Sequence, residues 1–398
     1  MKANAGTGGT VSAGGAGGTG GGGTSGAPAT GGSGGAGAAG GAGGTAGAAT
    51  GGSGVGGSGG APLGGMGGSA GGGAGTGTAG MAAGGGAGTG STVWTCPSGI
   101  TDTPTLGTPK RIAGLPPADD FNQMNNNFGN VEGPVWIGDS LYVSEMSYMA
   151  YDSTNSNVKK SRILKVASDG TVSIFIADSG SNGLATDSAG NIVATVHKDG
   201  SIKRFAFPSG TPSDVVTMYM GNRFDSPNDL AIRSDGTIYF SDPNFQAPNS
   251  LPQPKTLVYR VPPGGQATPI SSDNFSNPNG VTLSLAEDYL YVAADSGKRY
   301  PVMADGSLGA GADFAAVSGG DGMTIDCAGN LYVAKANTQT VVVYKPDGNM
   351  IGTIMVPEVQ AATNVAFGGA DHKTLYITGL GNSKGLFQLA MNVPGRPY

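Results

Sequence analysis

Charge is scarce in this 398-residue chain, at 12% of positions, and its balance is mildly acidic. With Lys2 set aside, 20 basic residues stand against 27 acidic ones, which disfavours nucleic acid or any other polyanionic partner. Histidine and cysteine number two each, too few for a zinc site built from nitrogen and sulfur. No run of eighteen apolar residues occurs, so no transmembrane segment is expected. The opening MKANAG also lacks the apolar core of a secretory signal.

What the chain has in excess is glycine, 77 residues of it, and most of these stand in the first quarter. Residues 1–93 are almost entirely Gly, Ala, Ser and Thr with Lys2 as the only charge, a composition that cannot bury enough apolar surface to offset the entropy of ordering. A disordered Gly-rich linker is expected there, long enough to act as a tether. Such a spacer suits a protein held off a cell surface or secreted, so a place in or outside the cell envelope is an expectation of the linker alone. Glycine patterns in it imitate dinucleotide-binding fingerprints, but none follows a strand or opens a helix.

Residues 94–398 repeat. A polar residue opens a short apolar run six times, in EGPVW, NGLAT, NDLAI, NGVTL, DGMTI and NVAF, and a second apolar run follows about ten residues later. The openers Glu132, Asn182, Asn228, Asn279, Asp321 and Asn364 are spaced by 50, 46, 51, 42 and 43 residues. A period of this length with several short strands per unit describes the blades of a β-propeller. The expected fold is therefore all-β, a six-bladed β-propeller preceded by the linker. The sixth repeat lacks a fourth strand, and a strand-like segment near 111–115 is expected to complete it and close the ring.

Each opener begins an innermost strand, so all six are expected at one end of the central channel. Residues after the second strands return to that end, namely Glu145, His197, Asp242, Asp295 and Lys335, and so does the loop carrying Arg223. The opposite end receives mostly Asp-Gly turns. The ring thus offers two carboxylates, Glu132 and Asp321, with up to four amide oxygens and no His or Cys. Hard oxygen donors suit Ca²⁺, and two carboxylates leave a site with a divalent ion neutral. Without a metal they crowd together, and one is expected to protonate.

EGPVW, SPNDLAIRSDGTIYFSDP, NPNGVTLS and DGMTIDCAGNLYVA resemble the signatures of the gluconolactonase, senescence marker protein (regucalcin) and luciferin-regenerating enzyme family. The resemblance covers roughly 130–380 and implies a divalent-metal-dependent hydrolase of lactones, or of related small esters. It implies that Glu132, Asn228, Asn279 and Asp321 bind the cation, with Ca²⁺ foremost and Zn²⁺, Mg²⁺ and Mn²⁺ also accepted. By the same resemblance Asp321 is the catalytic base, and Arg223 and Asp229 lie beside the substrate. HKDGSIKR resembles a bacterial gluconolactonase segment, which places His197 at the pocket rim.

A second function class is a non-catalytic propeller that binds a partner and holds Ca²⁺ structurally. A serine hydrolase is not expected. GNSKG joins two strands rather than a strand to a helix, and His372 falls on the face opposite the openers, away from Ser383. Met146, Tyr148, Met149 and Tyr151, within Glu145 to Asn157, are candidates for a lid over the first blade. Cys96 and Cys327 either pair, stapling the N-terminal segment to the fifth blade in an oxidising compartment, or stay free thiols. A monomer is expected.

Overall fold

β-Branched and aromatic runs punctuated by Asp-Gly, Asn and Pro turns become short antiparallel strands in the computed structural model. It describes residues 94–112, 130–152, 154, 157–272, 275–381 and 385–396. The linker, the 113–115 part of the expected closing strand, residues 155 and 156 of the lid segment, the Tyr148 side chain and Ser383 lie outside the described residues.

The chain enters through β1 (Lys110–Arg111) and then builds six four-stranded sheets. Blade 1 is β2 (Val131–Ile137), β3 (Ser140–Ala150), β4 (Lys159–Ala167) and β5 (Val172–Ile176). Blade 2 is β6 (Ser181–Thr186), β7 (Ile192–Val196), β8 (Ser201–Ala206) and β9 (Thr211–Val216). Blade 3 is β10 (Leu230–Ile232), β11 (Ile238–Asp242), β12 (Leu257–Val261) and β13 (Thr268–Pro269). Blade 4 is β14 (Val281–Leu283), β15 (Tyr289–Val292), β16 (Lys298–Pro301) and β17 (Ala312–Asp313). Blade 5 is β18 (Gly320–Ile325), β19 (Leu331–Lys335), β20 (Thr340–Tyr344) and β21 (Met350–Met355). Blade 6 is β22 (Ala361–Gly368), β23 (Thr374–Leu380) and β24 (Gly385–Ala390), with β1 as its outermost strand. The fold is thus the six-bladed propeller that the repeat predicts. β1 pairs Lys110 with Gln388 and Arg111 with Phe387, and the Ile112 N–H donates to Leu386 O.

The core is a ring of six apolar clusters, one at each blade–blade interface. Strand alternation makes this ring. Ile192 and Ala194 of β7 pack toward blade 1 and Val193 toward blade 3. In β11, Ile238 and Phe240 face blade 2 while Tyr239 faces blade 4. A strand buried on both faces must be apolar at every position, which is why the second strand of each repeat reads as a continuous run.

The turns away from the openers are held by Asp side chains that accept backbone N–H groups two and four residues on. Asp187 Oδ1 takes Ala189 N and Asn191 N, and Asp326 Oδ1 takes Ala328 N and Asn330 N. The C-terminal segment crosses this end. Pro394 O accepts the Cys327 N–H, Arg396 N donates to Ile325 O, and the Arg396 guanidinium bonds Glu287 and the carbonyls of Leu283 and Ser284. Here too Cys96 is disulfide-bonded to Cys327 and Trp94 stacks on His372 at 4.1 Å. Of the two states open to the cysteines, the structure takes the paired one.

Candidate active site

The innermost strands β2, β6, β10, β14, β18 and β22 neighbour one another in ring order around the channel. Their openers stand where the ladder is interrupted. The register shifts between Glu132 and Val135, Ser181 and Leu184, Gly320 and Met323, and Ala362 and Asn364. In blades 3 and 4 the opener precedes the strand, and single bonds hold it: Asn228 N donates to Ser241 O, and Asn279 N to Ala293 O. A bulge re-aims one side chain away from the pleat, which lets a polar group turn into the channel.

Close approach between neighbouring blades explains the glycine after most openers. A Cβ on Gly322 would stand 1.9 Å from Asn364 Cγ, and one on Gly133, whose φ is +52°, would stand 2.4 Å from Asn182 O. Blade 3 places a carboxylate at this position. Asp229 accepts the N–H groups of Leu230 at 3.0 Å and Val281 at 3.3 Å.

The ring therefore holds three carboxylates, Glu132, Asp229 and Asp321, and they repel. Burial first, and then the charges of Asp321 and Asp229, hold Glu132 well above the usual carboxylate range. Burial and the charge of Asp229 do the same to Asp321, and burial pushes Asp229 up to about 7. Two amides counter this. Asn364 hydrogen-bonds both Glu132 and Asp229, and Asn279 bonds Asp321. No ion pair reaches any of the three among the described residues. Asn279 Oδ1 and Asn182 Nδ2 are buried without partners. An orphaned amide oxygen beside crowded carboxylates is the donor chemistry of a hard divalent cation, so the residues present fit one. Among the described residues no group of three His, Cys, Asp or Glu has metal-holding geometry, so the set is a mixed carboxylate and amide one. Beneath the ring a cavity of about 80 Å³ runs down the channel, with Asp229 and Asn364 in its lining and Arg396 beside it.

Glu132, Asn228, Asn279, Asp321 and Asp229 are thus brought to one end of the channel. Arg223 and His197 come together near them with different occupations. The Arg223 guanidinium donates to the backbone carbonyls of Phe224, Lys198 and His197 at 3.1, 3.0 and 2.8 Å. His197 is fully buried, its Nε2 lies 2.7 Å from Lys159 O, and burial pushes its pKa down to about 4. The expected rim histidine is therefore a neutral group under the surface. Other ionisable groups of this end also serve the scaffold. Glu145 pairs with Arg162 at 2.6 Å, Asp242 accepts the N–H groups of Asp225 and Ser226, and Lys335 Nζ donates to Ala316 O and Ser318 O. Asp295 is exposed. In the lid segment Met146 is buried, Met149 is exposed, and the Tyr151 hydroxyl donates to Asp178.

Asn364 is not among the ligands that the family resemblance implies, yet it is the donor that joins two carboxylates. Its signal was positional, since it is the sixth member of the opener series. The carboxylate at the Gly position in NDLAI was a second signal, visible only once the six openers are aligned.

A six-bladed propeller with a carboxylate and amide ring at one end of its channel defines a class of small-molecule site. The chain belongs to the SMP-30/Gluconolactonase/LRE-like family, whose model matches residues 131–381. It is 28% identical to a gluconolactonase of Zymomonas mobilis over 62% of this chain and 75% of that protein. Among solved structures it is similar to a gluconolactonase from Xanthomonas campestris, with a TM-score of 0.56 and 29% identity over 67% of this chain and 87% of that one. It shares the fold of a calcium-binding regucalcin from Agrobacterium tumefaciens at a TM-score of 0.56 and 19% identity, over 68% of this chain and 92% of that one.

Proposed function

We propose that this protein is a divalent-metal-dependent hydrolase of lactones, with Glu132, Asn228, Asn279 and Asp321 as the ligands and a small lactone or ester as substrate. The observation that carries the reading is the convergence of three repelling carboxylates on an orphaned amide oxygen with no cationic side chain among them. Relatives named gluconolactonase and lactonase support the reaction class. Ca²⁺ is the ion that the oxygen donors favour.

When bound, a divalent ion supplies a Lewis acid that polarises the lactone carbonyl and stabilises charge on its oxygen. Asp321 accepts the proton of the attacking water. Asn279 orients Asp321 through its amide hydrogen bond, and Asn364 bridges Glu132 and Asp229. Asp229, whose carboxylate accepts the N–H groups of Leu230 and Val281, lies beside the substrate. Arg223 and His197 act indirectly, by locking the loop that delivers Asn228.

The test couples binding to turnover. Titration calorimetry of the chelated protein with Ca²⁺ is expected to show one tight site, and a pH-indicator assay is expected to show lactone hydrolysis that chelation abolishes. An unchanged rate after complete metal removal overturns the mechanism. Stoichiometric Ca²⁺ binding without turnover of any lactone or ester would leave the non-catalytic binding module.

A further inference from the structure

At the end of the channel that carries the ring, one aromatic side chain is held out into solvent by a fixed turn. Phe245 is 43% exposed. On one side of it the Asn244 N–H donates to Asn277 Oδ1 at 3.1 Å, and on the other the Gln246 N–H donates to Ser226 Oγ at 3.1 Å. Ala247, the next residue, is buried and its N–H returns to Asn244 O. Asn277 and Ser226 each stand two residues ahead of a proposed ligand, Asn279 and Asn228. Phe245 is therefore pinned at the lip between those two ligands. Exposing a phenyl ring on a rigid support forfeits the gain of burying it, unless something else covers it.

The surroundings extend the same chemistry. Leu251 is 49% exposed on the loop that follows Phe245, and Met149 is 40% exposed on the blade 1 hairpin. These two loops meet over blade 2, where Asn249 Nδ2 donates to Thr154 O at 2.7 Å. Three cationic groups at this end are committed, while Lys255, on the same loop as Leu251, is exposed. Arg223 and Lys335 donate to backbone carbonyls, and Lys198 pairs with Asp178 at 2.6 Å.

We infer that the substrate is a lactone carrying an apolar alkyl or aryl substituent, with Phe245 as the specificity-determining residue that packs against that substituent. This rests on the lactonase reading above. An alkyl or aryl group on the lactone covers the exposed ring and recovers the apolar burial that the turn forgoes.

The experiment compares kcat/KM of the metal-loaded protein for glucono-δ-lactone, a δ-lactone with a hexyl side chain, a benzo-fused δ-lactone and a 6-phosphorylated aldonolactone. The hexyl and benzo-fused lactones are expected to exceed glucono-δ-lactone and the phosphorylated aldonolactone by about tenfold or more. Phe245→Ala is expected to cut the ratio of hexyl to glucono turnover by about tenfold, chiefly through KM. Leu251→Ser is expected to lower the same ratio by a smaller factor. Turnover confined to polyhydroxy or anionic lactones, or a ratio unmoved in both variants with circular dichroism unchanged, overturns the inference alone. Turnover of no lactone overturns the lactonase reading and this inference with it.

Discussion

The two ends of the channel solve opposite problems with the same repeat. At the far end the ionisable groups of the turns are tied to protein partners. Asp187 and Asp326 cap their turns, Arg396 ties three blade 4 groups, and Cys96 is bonded to Cys327. At the ring end three carboxylates are forced together and amide atoms are left over. Stability accumulates where every group is satisfied, and function is expected where the fold tolerates frustration.

The sharpest way to break this contrast is Asp321→Asn. Hydrolysis is expected to fall by about 10³-fold, the usual scale for loss of a positioned base. The metal-free variant is expected to melt no lower than the wild type above pH 7, because one repelling buried charge has gone. Parallel activity and thermal scans decide it, and a large loss of melting temperature would assign Asp321 to the scaffold.

The converse belongs to the other end. Replacing Cys96 and Cys327 together with serine is expected to cost about 5 kcal/mol, since the bond closes a loop of 231 residues. Turnover at 25 °C is expected to persist, and a melt with and without reductant reads the loss.

His197 gives the smallest effect and sharpens the contrast within the ring end itself. Burial holds its folded pKa at about 4, below the 6.5 of a free imidazole, so the unfolded chain binds the proton more readily. Stability from this group is complete above pH 6.5 and is lost as pH falls toward 4, by about 2 kcal/mol at pH 5. The difference in melting temperature between the wild type and His197→Gln is expected to be flat above pH 7 and to shift against the wild type in acid. A constant difference would mean that the imidazole titrates freely.

Much of this arrangement was legible before any coordinates. The opener spacing foretold the blade count, and it also put Glu132 and Asp321, far apart in sequence, at one end of one channel. What stayed hidden depends on contacts that periodicity does not carry. Arg223 reads as a substrate clamp by motif, yet its direction is decided by the turn at Gly200, where a Cβ would stand 2.4 Å from Arg223 Nε. The cysteines could not be paired from sequence, because their meeting depends on how the segment around Trp94 lies against blade 5. The bridging role of Asn364 stayed hidden because an Asn that opens a strand usually needs no partner beyond its own turn.

The covalent tie at Cys327 also decides how the propeller bears a load. Tension applied to the chain ahead of Trp94 arrives at Cys96 before it can reach β1, and it passes through the sulfur bridge into blade 5. The two-residue ladder of β1 on β24 is thereby shielded from the pull. A blade sheet closed by so short a strand would otherwise be the first seam to open. Anchored in this way, the ring can be dragged by its leading segment without being unzipped.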